Sequence, residues 1–325
     1  MESLSFTETL KLCLEYFWCG FTDAFAWPSG LITIYGSETI KNRTLRCFLL
    51  NGVIFLGSIL FFNHITLPTL HFFLGKSFFA LNYREDENNN GDVSDIQYSP
   101  LITKILDTIV ALTYQLLWVY PIFVLSFVLN AIWYQEIADK AFRMHCGQPI
   151  NSRRTYPSIL NVIAGEIYRA LLFMNYLIVA TLVYVIPVIG PIVSFMYFCW
   201  IYAYYSFEYK WINQGWSLER RIGYFEERWS YFAGFGFLFT VITFFVDQFL
   251  SAGVFALFFP LYIIMAINAH PMPRNDESAR FSSLIPYRLP VFWVANKLNN
   301  RIIGGLHKGQ RRLSFNKIKS QEKVQ

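Results

Sequence analysis

Charge-free segments dominate the chain and predict its membrane helices. Cys47–Gly75 and Thr108–Gln135 contain no Asp, Glu, Lys or Arg, and each is longer than the roughly 20 residues that an α-helix needs to cross a bilayer. Each therefore predicts one transmembrane helix, tilted to fit the bilayer. Two further apolar segments follow: Ala170–Phe207 is uncharged, and Trp229–Pro273 contains Asp247 as its one charged residue.

Turn residues interrupt the second pair of apolar segments. Val185–Pro191 breaks the first, and Asp247-Gln248 with Ser251–Gly253 breaks the second. Each arm is then about 16 residues or roughly 24 Å long, which is less than the roughly 30 Å of hydrocarbon in a bilayer. Each segment is therefore predicted to be a helical hairpin. It either dips into the bilayer without crossing or crosses as two short spans.

A charged segment, Phe207–Trp229, lies between the two hairpins, and we call it the connector. Its apolar residues recur at intervals of four and three, which is the period of a helix with one apolar face; they are Trp211, Gly215, Leu218, Ile222, Phe225 and Trp229. Because it has tryptophans toward both ends and a charged opposite face, the connector is predicted to lie in the membrane interface. The alternative is a helix that packs on another helix.

Composition supports an integral membrane protein. The 325 residues are 54% hydrophobic and only 15% charged, and their mean hydropathy is +0.35. A soluble domain of this size is less apolar. The five cysteines form no CxxC or CxxH pair, so they predict free thiols rather than a metal site or a disulfide framework; they are Cys13, Cys19, Cys47, Cys146 and Cys199.

Charge placement divides the chain into three predicted regions. Residues 1–46 show no signal peptide, and the amphipathic Leu10–Trp27 predicts a helix lying flat on the cytosolic side of the bilayer. The membrane domain, 47–270, contains an acidic loop at 82–99 that is predicted to lie on the opposite side. Residues 271–325 form a basic tail, predicted to be cytosolic and to bind anionic lipid headgroups rather than nucleic acid.

Polar residues inside or beside the apolar segments are the candidate functional residues. Asn130 is predicted to hydrogen-bond between helices, with substrate contact as the alternative. Asp247 is a functional candidate because an acid is costly in lipid, but beside a turn it equally reaches interfacial water. In the connector the candidates are Glu208, Lys210, Trp211, Arg220 and Arg221. Both of these arginines are predicted to face solvent.

Several motifs resemble the etoposide-induced protein family of endoplasmic-reticulum membrane proteins. They are PIFVLSFVLNAIWYQEIADKAF at Pro121–Phe142, FEYKWINQG at Phe207–Gly215, RIGYFEERWSYFAGFGF at Arg221–Phe237 and SAGVFALFFPLYIIMAINAHP at Ser251–Pro271. The resemblance implies a multi-pass protein of the endoplasmic reticulum that is required for autophagy and linked to growth arrest and cell death. Charge placement, independently, predicts that both termini are cytosolic. The wider family is similar to the bacterial CysZ sulfate permeases, whose fold has two long membrane helices and two pairs of partly penetrating helices.

The predicted fold is thus an all-α integral membrane protein with two long transmembrane helices, two helical hairpins and interfacial amphipathic helices. Phosphate-loop, HExxH and GxSxG motifs are absent from the sequence, so no catalytic residue, metal or cofactor is predicted. Two functions remain open. The first is a membrane factor that organises autophagic membrane or recruits proteins of the autophagy machinery, and the second is a transporter of sulfate-like anions.

Overall fold

The computed structural model describes residues 5–69, 72, 108–150, 159–272, 282 and 284–302, with the backbone alone described for 159–167, 248 and 249. This part of the chain is helical and contains no strand, which confirms the predicted all-α class. The helices are α1 (Phe6–Ala24), α2 (Trp27–Tyr35), α3 (Glu38–Thr69), α4 (Thr108–His145), α5 (Ile159–Tyr184), α6 (Ile189–Asn213), α7 (Leu218–Glu227), α8 (Trp229–Phe244), α9 (Gln248–Asn268) and α10 (residues 293–302).

The chain forms two compact units. Unit 1 consists of Met1–Thr33, Ala138–Phe245 and Leu261–Gln325, and unit 2 consists of Ile34–Ile137 and Val246–Pro260. Helices α2, α4 and α9 each contribute residues to both. The acidic loop predicted at 82–99 lies outside the described residues.

In unit 1, glycines bring helix α8 into backbone contact with α1 on one side and α6 on the other. A Cβ on Gly234 would lie 1.9 Å from the carbonyl oxygen of Phe17 in α1. A Cβ on Gly236 would lie 1.8 Å from the carbonyl oxygen of Cys199 in α6. Small residues that allow helices to approach this closely are typical of membrane helix packing. The Gly-Phe-Gly sequence therefore places α8 at the centre of a tightly packed layer.

Helix α1 has three distinct faces. The face buried against α8 consists of Thr9, Cys13, Tyr16, Gly20 and Ala24. The next face exposes large apolar side chains, namely Phe6, Leu10, Leu14, Trp18 and Phe25. The third face is polar and includes the exposed Glu8, Lys11 and Glu15. An exposed apolar face beside a charged one suits a helix in the membrane interface, and that location of α1 stays a prediction.

The first hairpin is confirmed, although its arms are longer than predicted. Helices α5 and α6 are joined by a turn after Tyr184, and Tyr176 in α5 donates to the carbonyl oxygen of Tyr197 in α6 at 3.0 Å. The helices contain 26 and 25 residues because α5 begins in the charged region before Ala170 and α6 continues into the connector. At the turn, Val188 is 82% exposed. Such an apolar tip is compatible with lipid.

The second apolar segment also divides into two helices, but the break between them lies earlier than predicted. Helix α8 ends at Phe244 and α9 begins at Gln248, so Ser251–Gly253 lies inside α9. Gly253 is a packing residue there, because a Cβ on it would lie 2.4 Å from Cδ2 of Leu56 in α3. A glycine that marks close helix contact was therefore misread as a turn residue.

In unit 2, a pair of buried amides joins the two long helices. Nδ2 of Asn51 in α3 donates to Oδ1 of Asn130 in α4 at 2.9 Å, and Nδ2 of Asn130 donates back to Oδ1 of Asn51 at 2.9 Å. Nδ2 of Asn51 also donates to the carbonyl oxygen of Cys47 at 2.8 Å. The interhelical bonds were predicted for Asn130. Asn51 was missed as its partner, since sequence alone does not pair two amides so far apart.

An ion pair between Arg43 and Glu136 joins the charged ends of α3 and α4. The topology prediction requires both charged ends on one side of the membrane, and this contact meets that requirement. Which side is cytosolic stays a prediction.

Among the described residues, three helices are long and apolar enough to cross a membrane: α3, α4 and the Leu250–Asn268 part of α9. Tyr168–Tyr184 and Trp229–Phe244 are apolar but shorter. The two long helices predicted from sequence are thus present.

Candidate functional site

The connector is not one helix. Helix α6 runs through its first residues to Asn213, a turn follows, and α7 begins at Leu218. Gly215 has φ = +72°, a left-handed conformation that glycine adopts without strain, and it reverses the chain here. Ser217 caps α7 by accepting a hydrogen bond from the backbone N–H of Arg220 at 3.4 Å. We call this bend, Phe207–Glu227, the α6–α7 corner.

The apolar stripe of the connector faces protein. Trp211 is 2% exposed and Phe225 is fully buried, and the ring of Phe225 stacks on Phe232 of α8 with their centroids 4.4 Å apart. Ile222 is buried as well. The predicted contact of this stripe with the bilayer is therefore wrong, and the alternative, packing on other helices, is correct. Helical spacing identifies an apolar face but not whether protein or lipid covers it.

Glu208 is the buried acid of the corner. Its side chain is 5% exposed, and Oε1 lies 3.2 Å from Nη1 of Arg221 and 3.7 Å from Nη1 of Arg169. Arg221 Nε also donates to the carbonyl oxygen of Trp216 at 3.0 Å, which ties α7 to the turn. Arg221 was predicted to face solvent; instead it is largely buried and pairs with Glu208. The reason is that the bend at Gly215 turns this side of α7 toward α6.

Lys210 lies on α6 with its ammonium at the carboxyl end of α9. Nζ donates to the carbonyl oxygens of Ala269 at 2.7 Å and Ala266 at 3.3 Å. These carbonyls carry the partial negative charge of a helix C-terminus, which favours a cation. Burial lowers the pKa of Lys210, while the nearby Cys146 and Asp23 oppose this change. A positive charge is thus held at one end of the apolar helix α9.

A cavity of about 300 Å³ opens beside this lysine. The cavity is lined by residues from α6, from α7, from the turn between them and from the chain just after α9. They are Phe207, Lys210, Trp211, Gln214, Trp216, Tyr224, Ala269, His270 and Pro271. The guanidinium of Arg220 lies 4.2 Å above the ring of Trp216. Two of the five connector candidates, Lys210 and Trp211, thus line the cavity. Arg220 and Arg221 contact the lining residue Trp216, and Glu208 pairs with Arg221.

Glu226 forms hydrogen bonds to the segment after α9. The sequence did not predict this role for Glu226. Its carboxylate accepts from Nε of Arg288 at 2.8 Å and from the backbone N–H of Phe292 at 3.3 Å. Phe292 is fully buried against Phe225 and Tyr204. Residues 284–302 of the predicted tail thus belong to unit 1 and pack on α6 and α7. Most of the basic residues of the tail lie outside the described part of the chain.

The other two candidates lie in unit 2. Asn130 is occupied by its amide pair with Asn51. Asp247 is exposed at the break between α8 and α9, and its backbone carbonyl accepts from the N–H of Ser251 at 2.7 Å. Whether the side chain of Asp247 reaches interfacial water or lies in lipid stays a prediction. The described residues contain no group of three or more His, Cys, Asp or Glu placed to hold a metal ion.

Comparison with known proteins places these features in a family. A sequence model described as sulfate transporter CysZ/etoposide-induced protein 2.4 matches residues 26–260, which is more than half of the chain. The chain belongs to this family. The matched residues include both long helices, the first hairpin, the α6–α7 corner, α8 and the first part of α9.

Two related proteins align over most of the chain, and a third aligns over about half of it. An EI24 homolog of Arabidopsis thaliana is 31% identical over 313 residues, covering 90% of this chain and 93% of its own length. An EI24 homolog of Dictyostelium discoideum is 29% identical over 299 residues, covering 90% of this chain and 85% of its own. Ectopic P granules protein 4 of Caenorhabditis elegans is 28% identical over 165 residues, about half of each chain. No solved structure gives a significant match.

Proposed function

We propose that this protein is a multi-pass membrane protein of the endoplasmic reticulum that is required for autophagy. The observation that carries the proposal is membership of the family over residues 26–260, with EI24 homologs aligned over 90% of the chain. The resemblance to the etoposide-induced proteins implies this compartment and this role, and a link to apoptosis. The proposal makes the protein a membrane factor without catalysis.

The surface proposed to recruit proteins of the autophagy machinery is the outer side of α7. Phe225 and Glu226 anchor this helix to neighbouring segments of unit 1. The exposed Glu219 and Arg220 are therefore held in a fixed position. A pre-ordered charged surface binds a partner without the entropy cost of folding a loop. The basic tail beyond residue 302 is proposed to add attraction to anionic lipid headgroups.

Charge exchange on α7 tests this surface. In cells lacking the endogenous protein, the double variant Glu219→Lys with Arg220→Glu is expected to lose turnover of an autophagy substrate while keeping its abundance. The matched control is Glu38→Lys with Lys41→Glu, an exposed ion pair that also lies in the first turn of a helix. Neither exchange alters net charge. Normal turnover with the α7 variant would reject the recruitment surface, and normal turnover without the protein would reject the autophagy role.

The native Cys146 tests the proposed orientation. It is exposed, whereas Cys13, Cys47 and Cys199 are buried. In sealed microsomes of the endoplasmic reticulum, a membrane-impermeant thiol reagent is expected to label Cys146 from the cytosolic side, and Cys146→Ser is expected to remove most of the labelling. Labelling only after permeabilisation would invert the proposed topology.

The second candidate function is transport of sulfate-like anions. The family description itself names a sulfate transporter, which is the observation that favours it. The described bases of unit 1 with low exposure, such as Lys210 and Arg221, lie at the α6–α7 corner rather than at the hairpin tips. Purified protein in proteoliposomes tests transport: sulfate uptake above empty vesicles would favour this function, and its absence would favour the membrane-factor role.

A further inference from the structure

The cavity at the α6–α7 corner contains a cation that no carboxylate contacts directly. Among the described residues, no carboxylate forms an ion pair with Lys210, although Asp23 lies near enough to favour its charged form. Its hydrogen bonds to Ala266 and Ala269 orient the ammonium and use two of its three N–H donors. The third donor remains for a bound group. An anion is the ligand that such a charge favours.

An acceptor without a donor lies in the wall of the same cavity. Gln214 lines the cavity, and its Oε1 is buried and has no hydrogen-bond partner. Leaving a buried polar atom unsatisfied is costly, so a ligand that donates a hydrogen bond to Oε1, once the amide rotates toward the opening, gains affinity. Sulfate has no such donor at neutral pH, whereas a hydroxyl group has one.

Two aromatic side chains give the cavity flat walls. The rings of Trp216 and Tyr224 meet edge to face with their centroids 5.1 Å apart, and both line the opening. The guanidinium of Arg220 covers one face of Trp216 and holds this ring in place. Small-ligand sites commonly combine apolar walls with a few placed polar groups. The C–H face of a saturated ring fits against such walls.

We propose that this cavity binds a phosphorylated polyol, with the phosphate at Lys210, a hydroxyl group donating to Gln214 and the carbon ring against Trp216. The ligand is either a soluble sugar or inositol phosphate or the headgroup of a phosphorylated lipid, since both present the same chemistry. The proposal is independent of the autophagy role. It adds a binding site that the family description does not assign.

Direct binding to the full-length protein tests the site. With protein purified in detergent, myo-inositol 1-phosphate is expected to bind saturably by titration calorimetry, and more tightly than sulfate. With protein in lipid nanodiscs, a phosphatidylinositol monophosphate is compared with phosphatidylcholine alone by the change in tryptophan fluorescence. Binding in both arms would show that the site recognises the phosphorylated polyol, whether it is a soluble compound or a lipid headgroup. Binding in the nanodisc arm alone identifies the lipid as the ligand, and binding in detergent alone identifies the soluble compound.

Three variants separate ligand binding from structure. Lys210→Met is expected to weaken binding at least about tenfold because it removes the charge, and Lys210→Arg is expected to retain binding. Gln214→Leu is expected to weaken inositol phosphate about fivefold or more while leaving any sulfate binding unchanged. The control is Lys297→Met, which removes another lysine beside a tryptophan, 4.6 Å above the ring of Trp293. If Lys210→Met does not fold, Gln214→Leu decides.

Three results would overturn the proposal. They are no saturable binding in either arm, sulfate binding as tight as that of inositol phosphate, and equal loss of affinity in Lys297→Met and the cavity variants.

Discussion

Units 1 and 2 are both built from apolar helices, but different contacts hold them together. In unit 1, α8 touches its neighbours through backbone at Gly234 and Gly236, and aromatic side chains fill the space around it. In unit 2, the most apolar stretches of α3 and α4 are only 33% and 17% buried, and Asn51 and Asn130 bond across them.

This difference follows from what surrounds the helices. Lipid is as apolar as a leucine side chain, so an exposed apolar helix gains little by burying its surface in protein. Long helices such as α3 and α4 therefore need only a few polar contacts to define their pairing. Helices α6 and α7 carry charged residues where they meet at the Gly215 turn. They need dense protein packing there, because each buried polar group must find a hydrogen-bond partner.

The largest expected loss of stability comes from substituting a glycine at the close helix contacts of unit 1. Gly236→Ala should destabilise the protein by about 3 kcal/mol or more, because the added methyl group meets the backbone of Cys199, which cannot move aside. The measurement is the thermal unfolding midpoint in detergent. The matched control in unit 2 is Gly57→Ala, whose Cβ would meet its nearest atom at 3.6 Å. Equal stability of the two variants would show that the close α6–α8 contact is not needed.

The next largest loss of stability concerns the C-terminal segment 284–302 of unit 1. Glu226→Ala should cost about 2 kcal/mol because it removes the acceptor of Arg288 and leaves the buried N–H of Phe292 without a partner. The segment 284–302 should then become sensitive to protease. Glu219→Ala is the control, since that side chain lies on the same helix and is exposed. Unchanged proteolysis in Glu226→Ala would mean that Phe292 alone holds the segment.

A double-mutant cycle at the amide pair sharpens the description of unit 2. Asn51→Leu and Asn130→Leu should each cost about 1–2 kcal/mol because each removes the interhelical bonds of the remaining amide, although Asn51 keeps its bond to the carbonyl oxygen of Cys47. The double variant should cost less than the sum of the two, since no amide is then left unsatisfied. Unfolding midpoints of all four proteins supply the cycle, and additive losses would show that the pair does not act together.

The smallest expected change in stability comes from substituting the neighbouring residues Arg220 and Arg221. Arg221→Gln should cost about 1 kcal/mol because it weakens the pairing of the buried Glu208. Arg220→Gln should change stability by less than about 0.5 kcal/mol, as expected for an exposed charge. Comparison of the two midpoints checks this order, and the reverse order would contradict the assignment of Arg221 to the buried side of α7.

Periodicity and charge placement determined the number and kind of apolar elements. Uncharged segments predicted the long helices because hydrocarbon excludes charge, and this rule depends on composition rather than on neighbours. The break at Val185–Pro191 predicted the first hairpin because proline and glycine limit the backbone locally. The candidates Glu208, Lys210 and Trp211 were found in the same way, as a polar and aromatic group at the end of an apolar segment.

By itself, the sequence determined that this chain is an all-α membrane protein with a charged connector between two interrupted apolar segments. Only the tertiary structure decided what each apolar face contacts. It turned the stripe at Trp211 and Phe225 toward protein, made Gly253 a packing residue and paired Asn130 with Asn51. The physical reason is that lipid and protein cores are both apolar, so hydrophobic patterning cannot distinguish them, and the contacts depend on backbones brought together from distant parts of the chain.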